Sequence, residues 1–403
     1  MEDAMVVRLT DKTVPVLLAL RSAGLSGMLL LGLAGCAFNL PVTADLKLIA
    51  PLQLPDGSLE VARVGELVAT PDLLALDNDM RVFVRRYTAE LTGERQRLHM
   101  LHRAVKSPAV LDLQYDPIAE GTATEVFHRG TANCLSYASL FVALAREAGL
   151  DASYQWLEVK PQWSRMGERV AVRLHVNVLV RTRRGDQFMV DIDPLESGDI
   201  AGSRKISDTE AVALYHNNIA MGALAENRLD EAWVQLVRAL QLSPGMPLLW
   251  VNLGAVYRMA DQYGAAESSY LQALALDGSD RSAMTNLVVL YGLQGRTAER
   301  DQWAARVDHY RNANPYYHAW LGEQAAEAAD WPTALEHFER ALALSPRESH
   351  LLYITGLAHY RLQDYATASD YISRAIAASS LVSDQEDYRV QLEAVRREQL
   401  AGL

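Results

Sequence analysis

The chain predicts an α+β domain followed by an all-α solenoid. Three observations carry this. In the first half, helical periodicity gives way to two segments of period two, "VAVRLHVNVLV" and "FMVDIDP". From residue 206 onward the pattern is helical, and in that half small residues recur every 34 positions. With 403 residues the chain is long enough for two or more domains. Half of it is apolar and 22% is charged, so it is globular in composition. A net charge of −12 lacks the basic footprint of a nucleic-acid binder, so no such partner is expected. Neither GxxxxGK[ST] nor GxGxxG occurs, and two cysteines cannot build a CxxC…CxxC zinc site. No metal or nucleotide cofactor is expected.

The first element is "RSAGLSGMLLLGLAGCAFNLP". Arg21 precedes an apolar run from Leu25 to Gly35, too short to span a bilayer but right for a signal-peptide core. It ends Leu33-Ala34-Gly35-Cys36, which resembles the lipobox of bacterial lipoproteins. The resemblance implies that residues 1–35 are removed and that Cys36 is lipidated as the new N-terminus, anchoring the protein in a membrane. Ala37, where inner-membrane retention would use Asp, favours the outer membrane and a periplasm-facing protein of a Gram-negative bacterium. Cys134 is then an unpaired thiol in an oxidising compartment, and a chemical role for it gains weight.

Helices follow over "DLLALDNDMRVFVRRY" and "GERQRLHMLHRAV". His99 and His102 lie one turn apart, a pattern better explained by an exposed helix face than by a metal pair. From Leu135 to Leu150 nearly every residue is apolar, which places this helix in the domain centre with Cys134 at its start. Unpaired amides and the helix dipole there favour an anion, so the thiol is expected below the ordinary cysteine range. The same amides could hold the oxyanion of a tetrahedral intermediate.

A thiol nucleophile needs a base. In "VAVRLHVNVLV" the valines take one face and Arg173, His175 and Asn177 the other, so His175 leaves the core face. After the polar turn "RTRRGDQ", Asp191 and Asp193 alternate against Phe188, Val190 and Ile192. A hairpin puts His175 beside one of these carboxylates, which would fix the imidazole tautomer. A three-residue turn ending in Gly185 sets Asp193 opposite His175, and a five-residue loop sets Asp191 there.

"GTANCLSYASLFVALAREAGLDASYQWLEV", "HVNVLV" and "FMVDIDP" together resemble the transglutaminase-like superfamily of papain-type cysteine enzymes, over roughly residues 105–195. The resemblance implies a papain-like α+β fold for residues 36–205. It makes Cys134 the nucleophile, His175 the base and Asp191 the orienting acid, with Asp193 in reserve. Asp191 is preferred because its interval from His175 better fits the family. Two departures stand out: Thr131-Ala132-Asn133 separates Gly130 from Cys134, and Val176-Asn177 follows the histidine where an aromatic is common.

From Leu248, residues Trp250, Leu253, Gly254, Tyr257, Ala266, Tyr270 and Ala273 fall at the offsets of a tetratricopeptide repeat. Steps of 34 from Pro247 reach Arg281, Pro315 and Ser349, and one step back reaches Ala213. This predicts five units over 206–382, begun by a Ser207/Glu210 capping box, and a capping helix over 383–403. The unit at 281 is degenerate, with Arg300 and Val307 where alanines are expected. Asn217, Met221, Val251, Arg258, Thr285, Tyr353 and Tyr360 are expected to line a groove for a protein or peptide. The whole is expected to be a lipid-anchored cysteine enzyme that hydrolyses a peptide or isopeptide bond. The alternatives are a non-catalytic envelope adaptor and an amide acyltransferase.

Overall fold

The computed structural model describes residues 6–9, 44–55, 57–159, 162–163, 170–171, 174–193, 200–379 and 382–401. Cys36 and the rest of the expected lipobox lie outside the described residues. Strand β1 (Val6–Leu9) falls within the expected leader. Beyond it come β2 (Leu52–Leu54), β3 (Gly57–Leu59), α1 (Val64–Leu67), α2 (Asn78–Thr88) and α3 (Glu94–Lys106). Next are β4 (Gln114–Tyr115), α4 (Ala123–Arg129), β5 (Thr131–Ala132) and α5 (Cys134–Glu147). The strands β6 (Asp151–Val159), β7 (Gln162–Trp163), β8 (Val170–Ala171), β9 (Leu174–Arg181), β10 (Gln187–Val190) and β11 (Ile200–Lys205) complete this half.

The main sheet has the order β1-β10-β9-β6-β11, antiparallel throughout. Its even-numbered residues, Val176, Val178 and Val180 on β9 with Phe188 and Val190 on β10, join the core that surrounds α5. Helix α5 is central because it is apolar on every side: all eleven residues from Leu135 to Ala145 are buried. Its start is sharply defined. Gly130 ends α4 in the left-handed conformation at φ +77°, two residues of β5 follow, and Asn133 caps α5. Asn133 Oδ1 accepts from Ser136 N at 2.9 Å, and Ser136 Oγ accepts from Asn133 N at 3.0 Å, which closes a capping box at the start of the helix. Ser136 Oγ also bonds Ala119 O at 2.8 Å, tying the loop before α4 to the first turn of α5.

The second half consists of five antiparallel helix pairs: α6 (Asp208–Ala225) with α7 (Leu229–Leu242), α8 (Pro247–Met259) with α9 (Tyr263–Leu276), α10 (Arg281–Leu293) with α11 (Thr297–Asn312), α12 (Pro315–Glu327) with α13 (Trp331–Leu344), and α14 (Ser349–Arg361) with α15 (Tyr365–Ala378). Helix α16 (Val382–Ala401) follows. The small positions mark close approach of the two helices of a pair. A Cβ on Gly254 would stand 2.4 Å from the Tyr270 ring, and one on Gly322 would stand 2.4 Å from Phe338. In the third pair the sizes are exchanged, with Val288 facing the equivalent of those glycines and Ala304 the equivalent of the aromatics.

The third pair also divides the hydrophobic core. Helix α11 has no buried residue. One core runs from the strap around Ile49 and Leu52 through α5 and the sheet to Tyr291, and a second joins α12–α16. The strap is bonded to the second pair: Gln262 Nε2 donates to Pro51 O at 3.0 Å, Gln262 Oε1 accepts from Gln53 N at 2.9 Å, and Tyr257 OH donates to Ala50 O.

The expected groove residues behave differently from one another. Thr285 is exposed, Met221 and Arg258 are partly buried, and Val251 is buried at the edge of a cavity. Asn217 is buried and accepts from Asn252 Nδ2 at 2.7 Å. Tyr353 stacks on Tyr388 of α16 at 4.3 Å, and Tyr360 OH donates to Glu398 at 2.7 Å, so α16 packs against both tyrosines, which also line a cavity of about 310 Å³. Asn217–Asn252 and Tyr353–Tyr388 join the same positions of successive units, both pairs 35 residues apart. Helix α16 therefore occupies the place of the first helix of a sixth unit.

Candidate active site

Cys134 is the first residue of α5 and is partly buried. The backbone N–H groups of Val176 on β9 and of Leu135 on its own helix lie close enough to its side chain to favour the thiolate. The helix start and the central strand thus meet at the thiol, one residue from His175. Burial pushes the Cys134 thiol above the ordinary cysteine range. The two N–H groups pull it down, while the charges of Glu120 and Asp191 push it further up. The balance reverses the expectation of a lowered thiol. Desolvation outweighs the helix terminus, so the protonated thiol is favoured in the resting site.

His175 Nε2 lies 2.5 Å from Asp191 Oδ2, and both residues are buried. The loop is the short one: Thr182 N donates to Asp186 O at 2.9 Å, leaving Arg183, Arg184 and Gly185 as the turn, with Gly185 at φ +86°. The β9–β10 ladder, Gln187↔Arg181 through Val190↔Val178, would reach His175 at Asp193 if continued. It is nevertheless Asp191, on the diagonal, whose carboxylate meets the ring. The strand ends at Val190, and Asp191 Oδ1 accepts from Asp193 N at 3.2 Å, which turns the carboxylate back toward β9.

The face carrying His175 is not open to water as its polar residues suggest. Asn177 is fully buried and Gln155, directly opposite it on β6, is 4% exposed. Asn177 Oδ1 and Nδ2 and Gln155 Oε1 have no hydrogen-bond partner among the described residues. His99 and His102 also depart from the exposed face expected of them. Both are partly buried, His99 edge-on to Phe188 and His102 edge-on to Phe141, and burial pushes His102 down to about 4. Among the described residues no group of three or more His, Cys, Asp or Glu side chains converges as metal ligands.

Glu120 completes the surroundings and was not singled out by any sequence motif. Its Oε1 accepts from Asn133 Nδ2, on the residue before the cysteine, and from Asn218 Nδ2 of α6, both at 2.5 Å. Its Oε2 is shielded from solvent and has no partner among the described residues. Burial pushes the carboxyl up, against the pull of Asn218, Asn133 and Arg129. The cue available in the sequence was only a carboxylate in a short loop, 14 residues before the cysteine.

Residues 81–185 match the model of the Transglutaminase-like superfamily. The match contains Cys134 and His175 and ends before Asp191. The chain is 24% identical over 180 residues to Superkiller protein 3 of Schizosaccharomyces pombe, a match covering 41% of this chain and 12% of that protein. It is 31% identical over 159 residues to Cellulose synthase operon protein C of Xanthomonas axonopodis pv. citri, covering 37% of this chain and 10% of that protein. The chain thus spans about a tenth of the length of these curated relatives. Among solved structures it is similar to PilF of Pseudomonas aeruginosa, with 18% identity, coverage of 48% and 88% of the two chains, and a TM-score of 0.25. It is also similar to MamA of Desulfovibrio magneticus RS-1, with 17% identity, coverage of 43% and 96%, and a TM-score of 0.25. The first half of the chain carries a domain of the transglutaminase-like superfamily. The second half is a stack of tetratricopeptide-type helix pairs.

Proposed function

We propose that this protein is a cysteine enzyme acting on amide bonds of polypeptides. Cys134 is the nucleophile, His175 the base and Asp191 the residue that orients it. The observation that carries the reading is the buried His175–Asp191 pair, next in sequence to Val176, whose N–H lies close enough to Cys134 to favour its thiolate. His175 takes the thiol proton as Cys134 attacks the carbonyl, so ions form only as reaction begins. The amide of Leu135, already at the sulfur, is placed to donate to the developing oxyanion. His175 then gives the proton to the leaving amine, and water releases the acyl group in a hydrolase. The repeats bind the polypeptide substrate or its carrier.

The same proposal places the protein at the outer membrane, facing the periplasm and tethered through Cys36. Cleavage before Cys36 would release Val6–Leu9 and leave β10 as a sheet edge. An iodoacetamide-type probe on purified protein tests the chemistry. Labelling of wild type that is lost in Cys134→Ala and strongly reduced in His175→Ala supports it. Labelling of Cys134 at the rate of a free thiol, indifferent to His175→Ala, refutes it. Radiolabelled fatty acid in wild type but not in Cys36→Ser supports the anchor, and equal incorporation refutes it.

A second reading has an observation of its own. The resting thiol is raised by burial and by two carboxylate charges. A non-catalytic adaptor, with the sheet domain as a structural platform for the repeats, would tolerate this environment. The absence of probe labelling would favour it.

A further inference from the structure

The turn after β10 has a partner outside the sheet. Lys106 is the last residue of α3 and is partly buried, and its Nζ donates to the Ile192 carbonyl at 3.2 Å. Ile192 is itself buried and stands between Asp191 and Asp193. Asp191 Oδ1 accepts from Asp193 N and Asp191 Oδ2 meets His175 Nε2, so both carboxylate oxygens depend on the path of the chain through Ile192. Lys106 holds that path at its middle.

Helix α3 is well placed to do so. Leu98, Leu101, Ala104 and Val105 are buried, and Leu113 N donates to Val105 O, which fixes the last turn of the helix. A lysine stem is long enough to carry its ammonium out to water. Here burial disfavours the charge of Lys106, while Asp193 and Asp191 favour it. The helix dipole alone does not account for this, because exposed Arg103 lies in the same last turn. Two other titratable groups lie near the turn. His102, one turn earlier on α3, is pushed down to about 4 by burial and is neutral at pH 7. Burial and the charge of Asp191 push Tyr137 of α5 well above the ordinary tyrosine range, so it is neutral too. Of these three groups only Lys106 brings charge to the turn.

We propose that Lys106 is a positioning residue of the candidate site: by holding the Ile192 carbonyl and countering Asp191 and Asp193, it keeps the Asp191 carboxylate aimed at His175. Its share in catalysis rests on the cysteine-enzyme reading, and it acts through Asp191. Without Lys106 the carbonyl loses its donor and two neighbouring carboxylates lose their counter-charge, so the turn relaxes. A site residue whose support relaxes loses its aim before the fold is lost.

The test compares Lys106→Met, Lys106→Gln and Lys106→Arg in the full chain, with melting curves to show that each folds. Met removes donor and charge, Gln keeps a donor, and Arg keeps both. The first readout is the downfield proton resonance of the His175–Asp191 hydrogen bond, identified by its loss in Asp191→Asn. The second is the rate of Cys134 acylation by p-nitrophenyl acetate. Lys106→Met should shift the resonance upfield or remove it, and slow acylation about 10- to 100-fold, the scale of a small misplacement. Lys106→Arg should restore most of both, and Lys106→Gln an intermediate part. Added to Asp191→Asn, Lys106→Met should cost little more, because its effect runs through that carboxylate. Arg103→Met should change neither readout. An unchanged resonance in Lys106→Met, or equal losses in Lys106→Arg and Lys106→Met, would overturn the proposal. If Lys106→Met does not fold, Lys106→Gln against Lys106→Arg decides in the same way. If Cys134 is acylated in no form, the enzyme reading fails, while the resonance still decides whether Lys106 positions Asp191.

Discussion

Asp191 and His175 occupy diagonal positions of the β9–β10 hairpin, with Asp191 Oδ2 2.5 Å from His175 Nε2, while the residue in line with His175 along the ladder is Asp193. A diagonal partner reaches the edge of the ring, and Asp191 is the carboxylate hydrogen-bonded to it. The pair should therefore depend on one carboxylate. Asp191→Asn is expected to lower acylation of Cys134 by p-nitrophenyl acetate about 10²- to 10⁴-fold, the scale seen when a histidine's orienting acid is lost. Asp193→Asn should cost less than about tenfold. Equal losses would mean that the two carboxylates share the role.

The thiol's pH profile follows from the charges around it. Burial and the carboxylates of Glu120 and Asp191 raise Cys134, so alkylation by iodoacetamide should still be climbing above the pH at which an ordinary cysteine has levelled off. Glu120→Gln removes one opposing charge and should move the curve to lower pH. A plateau already complete at neutral pH would show that the imidazole and helix start outweigh burial.

His102 links folding to pH. It is pushed down to about 4 by burial, with Lys106 and His99 opposing its charge as well, whereas an exposed histidine titrates near 6.5. Between those values the unfolded chain binds the extra proton and the folded chain does not, so stability rises with pH across that window. The full effect is about 1–3 kcal/mol, taking about 1.4 kcal/mol per unit and allowing for partial solvent access. His102→Gln should flatten urea-derived stability between about pH 4 and 6.5 relative to wild type. An unchanged slope would place the pH dependence elsewhere.

The exchange of sizes in the third pair predicts a coupled mutation. Gly254→Ala should destabilise by about 1–3 kcal/mol, since its new methyl would overlap the Tyr270 ring. Ala304→Tyr should be at least as harmful beside Val288, whereas Ala304→Tyr with Val288→Gly restores the arrangement of the other pairs. Denaturant titration should give a double-mutant coupling of at least about 1 kcal/mol. Additive effects would show that the third pair packs by another rule.

The division of the core at α11 predicts two melting units. Deleting residues 315–403 removes only the second core and should leave the unfolding of the remainder nearly unchanged by calorimetry. Deleting from residue 213 instead cuts through the first core, exposing apolar surface that includes Leu214 and Trp233's neighbours in the sheet domain. A fall of more than about 5 °C in the melting of the shorter deletion would show that the two cores are coupled.

Much of this was legible in the sequence because the signals were local. The apolar run after Cys134 placed α5 in the centre, and the step of 34 located the helix pairs. The preferred carboxylate, Asp191, is the one bonded to His175, although the reasoning from the turn length pointed to Asp193 for the loop that forms. Period-two patterns identify faces, but they do not show where a strand ends, and the termination at Val190 decides where Asp191 points. The buried second face carrying Asn177 was hidden for a related reason: what covers a sheet is tertiary. Glu120 was illegible because its importance comes from Asn218, nearly a hundred residues away in the chain. The packing of α16 against Tyr353 and Tyr360 is likewise tertiary and leaves no mark in the repeat pattern.

That helix stands where the first helix of a further unit would stand. Since α16 repeats the Asn217–Asn252 relation with Tyr353–Tyr388, it stands in register with the helices before it and leaves Val390 68% exposed. Gene duplication or loss of one 34-residue unit between α11 and α16 would keep every remaining junction of a kind already present. Lineages carrying this architecture can therefore differ in array length while Cys134, His175, Asp191 and Glu120, all on the far side of α11, inherit an unchanged setting.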